Sequence, residues 1–316
     1  MRSPWSRLVL TALFAAGSVA LALAMGERWI DPFGSGSPMD AVILESLRWP
    51  RVMSAAAVGA LLAMSGAWLQ TLVGNPLAEP YILGVAGSGS VGAIIAIALV
   101  GGAIAPALGA FLGAVVGTLA VLPFVRLGPT RLLLAGVVLA ALWGAMVALA
   151  LSQLGDPELR RAVQWMLGDL GSNQLPNWLL YGAVALALAI GVALGRDLDR
   201  LALGEVHAAT LGTSVAWLRL ILVLLASATT GLAVAAAGTV GFVGLIVPHA
   251  VRLLVGSPHR FLLPASALCG AGLLVLADAT ARAIVAPAEL PVGVMTALLG
   301  VPTFLWLLVR RSQWSS

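Results

Sequence analysis

Ten apolar stretches, each about as long as a bilayer is thick, follow one another along the chain. They run near residues 8–26, 52–71, 83–101, 104–125, 132–153, 176–195, 217–236, 239–256, 261–281 and 291–309. Charged residues or Gly/Pro clusters separate them, and only the turn from Gly101 to Pro106 parts the third from the fourth. An apolar helix of about 18 or more residues crosses a hydrocarbon core of roughly 30 Å. Lipid offers the backbone no hydrogen-bond partner, so such stretches fold as helices. The pattern predicts an all-α integral membrane protein with about ten transmembrane helices in a single domain over residues 1–316. The eighth stretch is the weakest, because Pro248, His249 and Arg252 interrupt it. The polar segments 27–51 and 154–175 are short and carry Pro and Gly, so they read as loops or short surface helices.

Composition supports the pattern. The chain is 60% hydrophobic and only 9% charged, where soluble domains carry about 25% charged residues. Its 36 glycines suit helices that approach closely in lipid. All 17 basic residues are arginine. Without lysine the chain lacks the P-loop residue that binds nucleotide phosphates, so if it moves a solute uphill on ATP, another chain must hydrolyse the ATP. Cys269 is the single cysteine and lies in an apolar run, which leaves no internal disulfide and suggests no metal cluster. The N-terminus has the basic start and apolar middle of a signal peptide. Its uncharged run from Leu8 to Gly26 is long enough to span, and reads as a retained first helix.

Charge placement orients the chain. With the N-terminus inside, Arg28, Arg48, Arg51, Arg160, Arg161 and Arg282 fall outside and the other eleven arginines inside. The positive-inside rule favours that orientation, with both termini cytoplasmic. The formal charge of +4 is therefore a topology signal, not a nucleic-acid footprint.

Three stretches carry more information. In the first, Arg48 to Ala93, two arginines flank Trp49-Pro50 at the predicted outer entrance of a span. Outward cations there can receive an acidic partner; anchoring at the interface by Arg and Trp is the other reading, and residue types alone favour it. Gln70, Asn75, Pro76 and Pro80 then mark a broken, polar element or an ordinary inner loop. The second, Leu201 to Arg219, is an amphipathic inner segment with a break at Gly212-Thr213, suited to a groove on a soluble partner or to lipid headgroups. In the third, Gly238 to Arg282, His249 and His259 lack the company a metal site needs and read as structural. Asp278 and Arg282 are four apart on one helix face and should pair.

Together these stretches resemble the permease subunits of ABC importers for iron chelates, haem and vitamin B12. The resemblance rests on R-x-P-R at Arg48, SG-x-x-x-Q and NPLA-x-P, which contain Gln70, Asn75 and Pro76. It also rests on RLLLAGV from Arg131, GFVGLIVPH-x-x-R with Pro248, His249 and Arg252, AD-x-x-AR, and ELPVGVMTALLGVPTFLWLL from Glu289. It covers residues from about 40 to 310. It implies a vitamin B12-importer-like permease fold, a bacterial inner-membrane location, and a homodimer with the transport path on its axis. Two ATP-binding subunits inside and a periplasmic substrate-binding protein outside are the implied partners, with a metal chelate as cargo. By the same resemblance, Arg48, Arg51 and Arg282 dock acidic residues of the binding protein. Gly204, Glu205, His207, Ala208, Ala209, Leu211 and Gly212 belong to the coupling segment that meets the ATPase. Pro129 and Thr130 sit at an inner gate, although a proline departs from the small polar residues expected there. Such a permease needs no catalytic residue and no cofactor.

Two other classes fit less well. An ion-gradient-driven secondary transporter needs acidic residues at mid-membrane, whereas these acids cluster in loops and span ends. An intramembrane enzyme needs a paired nucleophile and base or a metal cluster within the spans.

Overall fold

Each apolar stretch folds as a helix in the computed structural model of the chain, which describes residues 4–26, 28–34, 37–171, 173, 175–285 and 288–312, with side chains described to residue 305. Arg2, and the side chains of Arg310 and Arg311, which entered the charge count above, lie outside the described residues. In chain order the ten helices are α1 (Pro4–Ala24), α3 (Trp49–Val73), α4 (Val85–Leu99), α5 (Ala105–Val121), α6 (Pro129–Leu151), α8 (Asn177–Ala193), α11 (Val215–Ala237), α12 (Val243–Val255), α13 (His259–Ile284) and α14 (Val292–Ser312). Between them lie the shorter α2 (Pro38–Ile43), α7 (Asp156–Met166), α9 (Gly195–Leu201) and α10 (Glu205–Thr210). No strand occurs among the described residues. Six helical stretches are long and apolar enough to cross a membrane, and α8 with α9, bent by 61°, makes a seventh. The helices at Val85–Leu99, Val243–Val255 and Val292–Leu305 fall short by length. Length and apolarity alone therefore support fewer crossings than the ten expected.

α3 is the axis of the fold. Every residue from Ser54 to Leu72 is buried, as befits a helix apolar on all sides. α8, α11, α12 and α13 pack around it. Two crossings are close enough to exclude a side chain. A Cβ on Gly59 would stand 2.2 Å from the Gly270 carbonyl oxygen, and one on Gly66 would stand 1.8 Å from that of Gly244. Backbone contact of this kind maximises packing where lipid gives no hydrophobic drive. Polar side chains join the same helices: Ser65 Oγ donates to the Ala226 carbonyl at 2.9 Å, and Gln70 Nε2 to that of Leu245 at 3.0 Å.

The eighth stretch is short for a structural reason. α11 ends at Ala237, residues 238–242 are non-helical, and α12 supplies only 13 residues. Irregular backbone in lipid must be satisfied by protein, and the segment after α3 does this. Tyr81 Oη donates to the Val240 carbonyl at 2.9 Å and accepts the Val240 N–H at 2.7 Å. Glu79 Oε1 accepts the N–H of Phe242 at 2.8 Å, where Phe242 holds a left-handed φ of 68°. The 13-residue helix thus starts on a carboxylate, which favours the positive end of its dipole.

α6 contrasts with α3. Leu132, Gly136 and Trp143 form its buried stripe, while Leu134, Val137, Val138, Leu142 and Leu149 are exposed.

Candidate functional site

The arginines of the first and third stretches converge at one end of the bundle, the Arg51 end. Asp278, on α13, is fully buried and sits between two guanidinium groups. Arg51 Nη2 lies 2.9 Å from its Oδ1, and Arg282 Nε 3.1 Å from its Oδ2. Arg51 has a second carboxylate: its Nη1 is 2.8 Å from Glu289 Oε2. Arg282 also donates to the carbonyls of Ala22 and Met25, at 3.2 and 3.3 Å. Arg48, likewise buried, donates to the carbonyls of Leu23, Ala24 and Arg28 at 2.7–2.8 Å. The last carbonyls of a helix lack intrahelical partners and carry its negative dipole end. Arg48 and Arg282 supply both partners and charge there, and so fasten α1 to α3 and α13.

Small residues make room for these groups. A Cβ on Gly26 would stand 2.6 Å from Arg48 Nη2, and one on Gly171 would stand 3.0 Å from Arg51 Nη1. The segment carrying Gly171 is tied to the start of α3. Asn173 Nδ2 donates to Ser54 Oγ at 2.9 Å, and Asn177 Nδ2 to the Pro50 carbonyl at 3.1 Å. The result is an open cleft of about 790 Å³ lined by Arg28, Arg48, Arg51, Arg282 and Glu289 among others. Arg28 stands at its edge, paired with Asp40.

The opposite end, the Glu205 end, is built differently. α10 contains Glu205, His207, Ala208 and Ala209, with Gly204 before it and Leu211 and Gly212 after it. Gly204 and Gly212 both take positive φ, 108° and 85°, which turns the chain sharply on either side of the helix. Ala208 points inward and is buried, whereas Leu203, Val206, Leu211 and Trp217 are exposed. Two contacts tie this segment to its neighbours, and a third ties the adjoining α9 to α13 and α3. Glu205 Oε1 lies 2.5 Å from Arg219 Nη2 on α11, and Thr213 Oγ1 donates to Asp197 Oδ1 on α9 at 2.8 Å. Asp199 on α9 accepts both the backbone N–H and Nδ1 of His259, at 2.9 and 2.7 Å, and the ring's Nε2 meets Thr71 Oγ1 on α3 at 2.8 Å.

The motif residues meet at this same end. Gln70, Pro76, His249 and Arg252 line a cavity of about 280 Å³ together with His259. Asn75 Oδ1 accepts the N–H of Leu77 at 2.9 Å and shapes the turn after α3. Pro248 is buried inside α12. Pro129 and Thr130 open α6, half-buried and exposed respectively, and lie outside that cavity. Glu79 is half-buried beside α12, and desolvation holds its carboxyl above the usual range against the opposing pull of the Phe242 N–H. Among the described residues, no three His, Cys, Asp or Glu side chains gather as metal ligands would. Sequence reasoning paired Asp278 with Arg282, and missed the pairing of Arg51 with Asp278 and Glu289, the contact of Glu79 with Phe242 and the Asp199–His259–Thr71 chain. Nothing in local spacing signals contacts between residues 60 to 238 positions apart.

The FecCD transport family model matches residues 7–310 of the chain. The vitamin B12 import system permease protein BtuC of Vibrio vulnificus (strain CMCP6) is 44% identical over 298 residues, covering 92% of this chain and 90% of that protein. The protein of the same name from Vibrio cholerae is 42% identical over 316 residues, covering 97% and 95%. A solved structure described as a metal-chelate type ABC transporter in an inward-facing conformation superposes with a TM-score of 0.89 at 31% identity, covering 96% of this chain and 98% of that one. The polytopic helical fold, the motifs and these likenesses agree: this chain belongs to the FecCD transport family, as the inner-membrane permease subunit of an ABC importer whose ATPase is a separate subunit.

Proposed function

We propose that the chain conducts cobalamin. The observation that carries this is the identity of 42–44% to vitamin B12 import permeases over more than nine-tenths of the chain. Two copies form the conduit, and the exposed apolar face of α6 supplies contact surface for the second copy. α4, α12 and α14 cross the membrane within that assembly, as shorter helices that neighbouring protein helps to satisfy. The Arg51 end faces outward, where Arg48, Arg51 and Arg282 present positive charge to a periplasmic binding protein. The Glu205 end and both termini face the cytoplasm, where two ATPase subunits seat on α10.

The contacts at the Glu205 end support alternating access. A displacement of α10 reaches α11 through Glu205 and Arg219. It reaches α9 through Thr213 and Asp197, and from α9 it reaches α13 and α3 through Asp199, His259 and Thr71. Helices are stiff along their axes, so such a push is transmitted as rigid-body movement rather than absorbed. The gate residues are expected near Pro129 and Thr130, at the start of α6. Uptake into liposomes tests the cargo: with ATPase subunit, binding protein and ATP, cyanocobalamin enters and ferric siderophores and haem do not. Entry of a siderophore or haem in place of cyanocobalamin overturns the assignment.

A further inference from the structure

We propose that Glu289 is an internal stand-in for the docking partner, occupying Arg51 until an acidic side chain of that partner replaces it. The inference rests on the reading of the Arg51 end as the docking face, and adds the residue that regulates it.

The two carboxylates on Arg51 differ in kind. Asp278 is buried and shared with Arg282, so its bonds to Arg51 belong to the fold. The Glu289 side chain is 53% exposed, and it meets Arg51 through Nη1 alone. A planar guanidinium presents donors on two edges. Asp278 takes the Nε and Nη2 edge, at 2.9–3.1 Å, which leaves Nη1 as the face turned toward the cleft. Glu289 covers that face. Charge complementarity names what replaces it. Four guanidinium groups, of Arg28, Arg48, Arg51 and Arg282, line the cleft, and three carboxylates, of Asp40, Asp278 and Glu289, pair with them, so the cleft keeps positive charge with Glu289 in place. Arg48 and Arg282 direct their nitrogens to backbone carbonyls, and lend the cleft their field while anchoring α1. A partner carboxylate exchanging with Glu289 trades one ion pair for another, and the released Glu289 side chain returns to water.

The test uses the full-length permease in lipid nanodiscs and the binding protein of the Vibrio vulnificus vitamin B12 import system as probe. Glu289→Gln is expected to tighten binding about two- to fivefold at physiological salt, the scale of one exposed ion pair. Glu45→Gln removes the same charge from an exposed position beside the cleft and is expected to change affinity less than twofold. Arg51→Ala weakens binding, and Glu289→Gln adds nothing in that background. Arg51→Lys keeps a cation beside buried Asp278 and guards against misfolding, and it too should abolish the Glu289 effect. If Glu289→Gln fails to tighten while Arg51→Ala weakens, the stand-in role falls and docking at Arg51 survives. If Glu45→Gln tightens equally, the effect is long-range and the stand-in role again falls. Unchanged binding in every Arg51 variant overturns the docking reading itself.

Discussion

The two ends of the bundle use charge in opposite ways. At the Arg51 end, Arg48, Arg282 and Asp278 are buried and committed to backbone carbonyls and to one another, while Glu289 and Arg28 at the cleft reach well into solvent. At the Glu205 end, the acids of the ion pairs are 38–43% exposed, and large apolar side chains project beside them: Leu203, Val206, Leu211 and Trp217. Charged faces steer encounter and tolerate rapid exchange. Apolar faces hold a partner for long periods, as in obligate interfaces. A binding protein and an ATPase, the two proposed partners, would meet these two kinds of face. Two carboxylates, one buried and one half-buried, show the same contrast. Asp278 is compensated by two arginines, whereas Glu79 has the N–H of Phe242.

The sharpest way to break this comparison is Asp278→Ala. It strands two guanidinium groups around a buried site and is expected to cost about 3–5 kcal/mol, read as a loss of thermal stability in detergent. A change below about 1 kcal/mol would show that the cluster is hydrated rather than structural. Next, Val206→Asp with Leu211→Asp places charge on the exposed apolar face of the coupling segment. Association with the ATPase subunit should weaken at least thirtyfold, about 2 kcal/mol, with the melting temperature of the isolated permease unaltered. Arg48→Lys is a milder probe of the Arg51 end. A single ammonium cannot reproduce the planar donor set that serves Leu23, Ala24 and Arg28, and about 1–2 kcal/mol of stability is expected to go.

Glu79→Gln should have the smallest effect, and a pH signature. Burial raises the Glu79 carboxyl above its ordinary 4.5, so the folded chain keeps this proton to a higher pH than the unfolded chain. Between 4.5 and the raised value the unfolded state binds fewer protons, and stability falls as pH rises. Glu79→Gln still offers an acceptor to Phe242 and removes the titration. Wild type should therefore lose more stability than the variant as pH rises from 4.5 through the raised value, checked by unfolding at several pH values. Parallel pH profiles would place Glu79 in a hydrated environment.

Local pattern carried the helices and the i,i+4 pair of Asp278 with Arg282, because both depend on neighbours in sequence. It also marked the eighth stretch as weak. What it could not show is how that stretch survives in lipid, since Tyr81 and Glu79 reach Val240 and Phe242 across 159 and 163 residues. Arg48 and Arg51 stood out as a pair, yet their fates diverge. Arg48 turns to the end of α1, and Arg51 bridges residues 227 and 238 positions away. His259 was read as structural, and its partners Asp199 and Thr71 sit on two other helices. Span number was less legible, because α4 and α12 are shorter than a bilayer is thick and length alone does not register them.

The central claim is that this chain is a conduit driven by a separate ATPase. Purified permease should be placed in liposomes with a proton gradient, with and without ATPase subunit, binding protein and ATP, and uptake of labelled cyanocobalamin measured. The account predicts accumulation only in the complete, ATP-supplied system, abolished when hydrolysis is blocked on the ATPase. Accumulation by the chain alone on the proton gradient would contradict it.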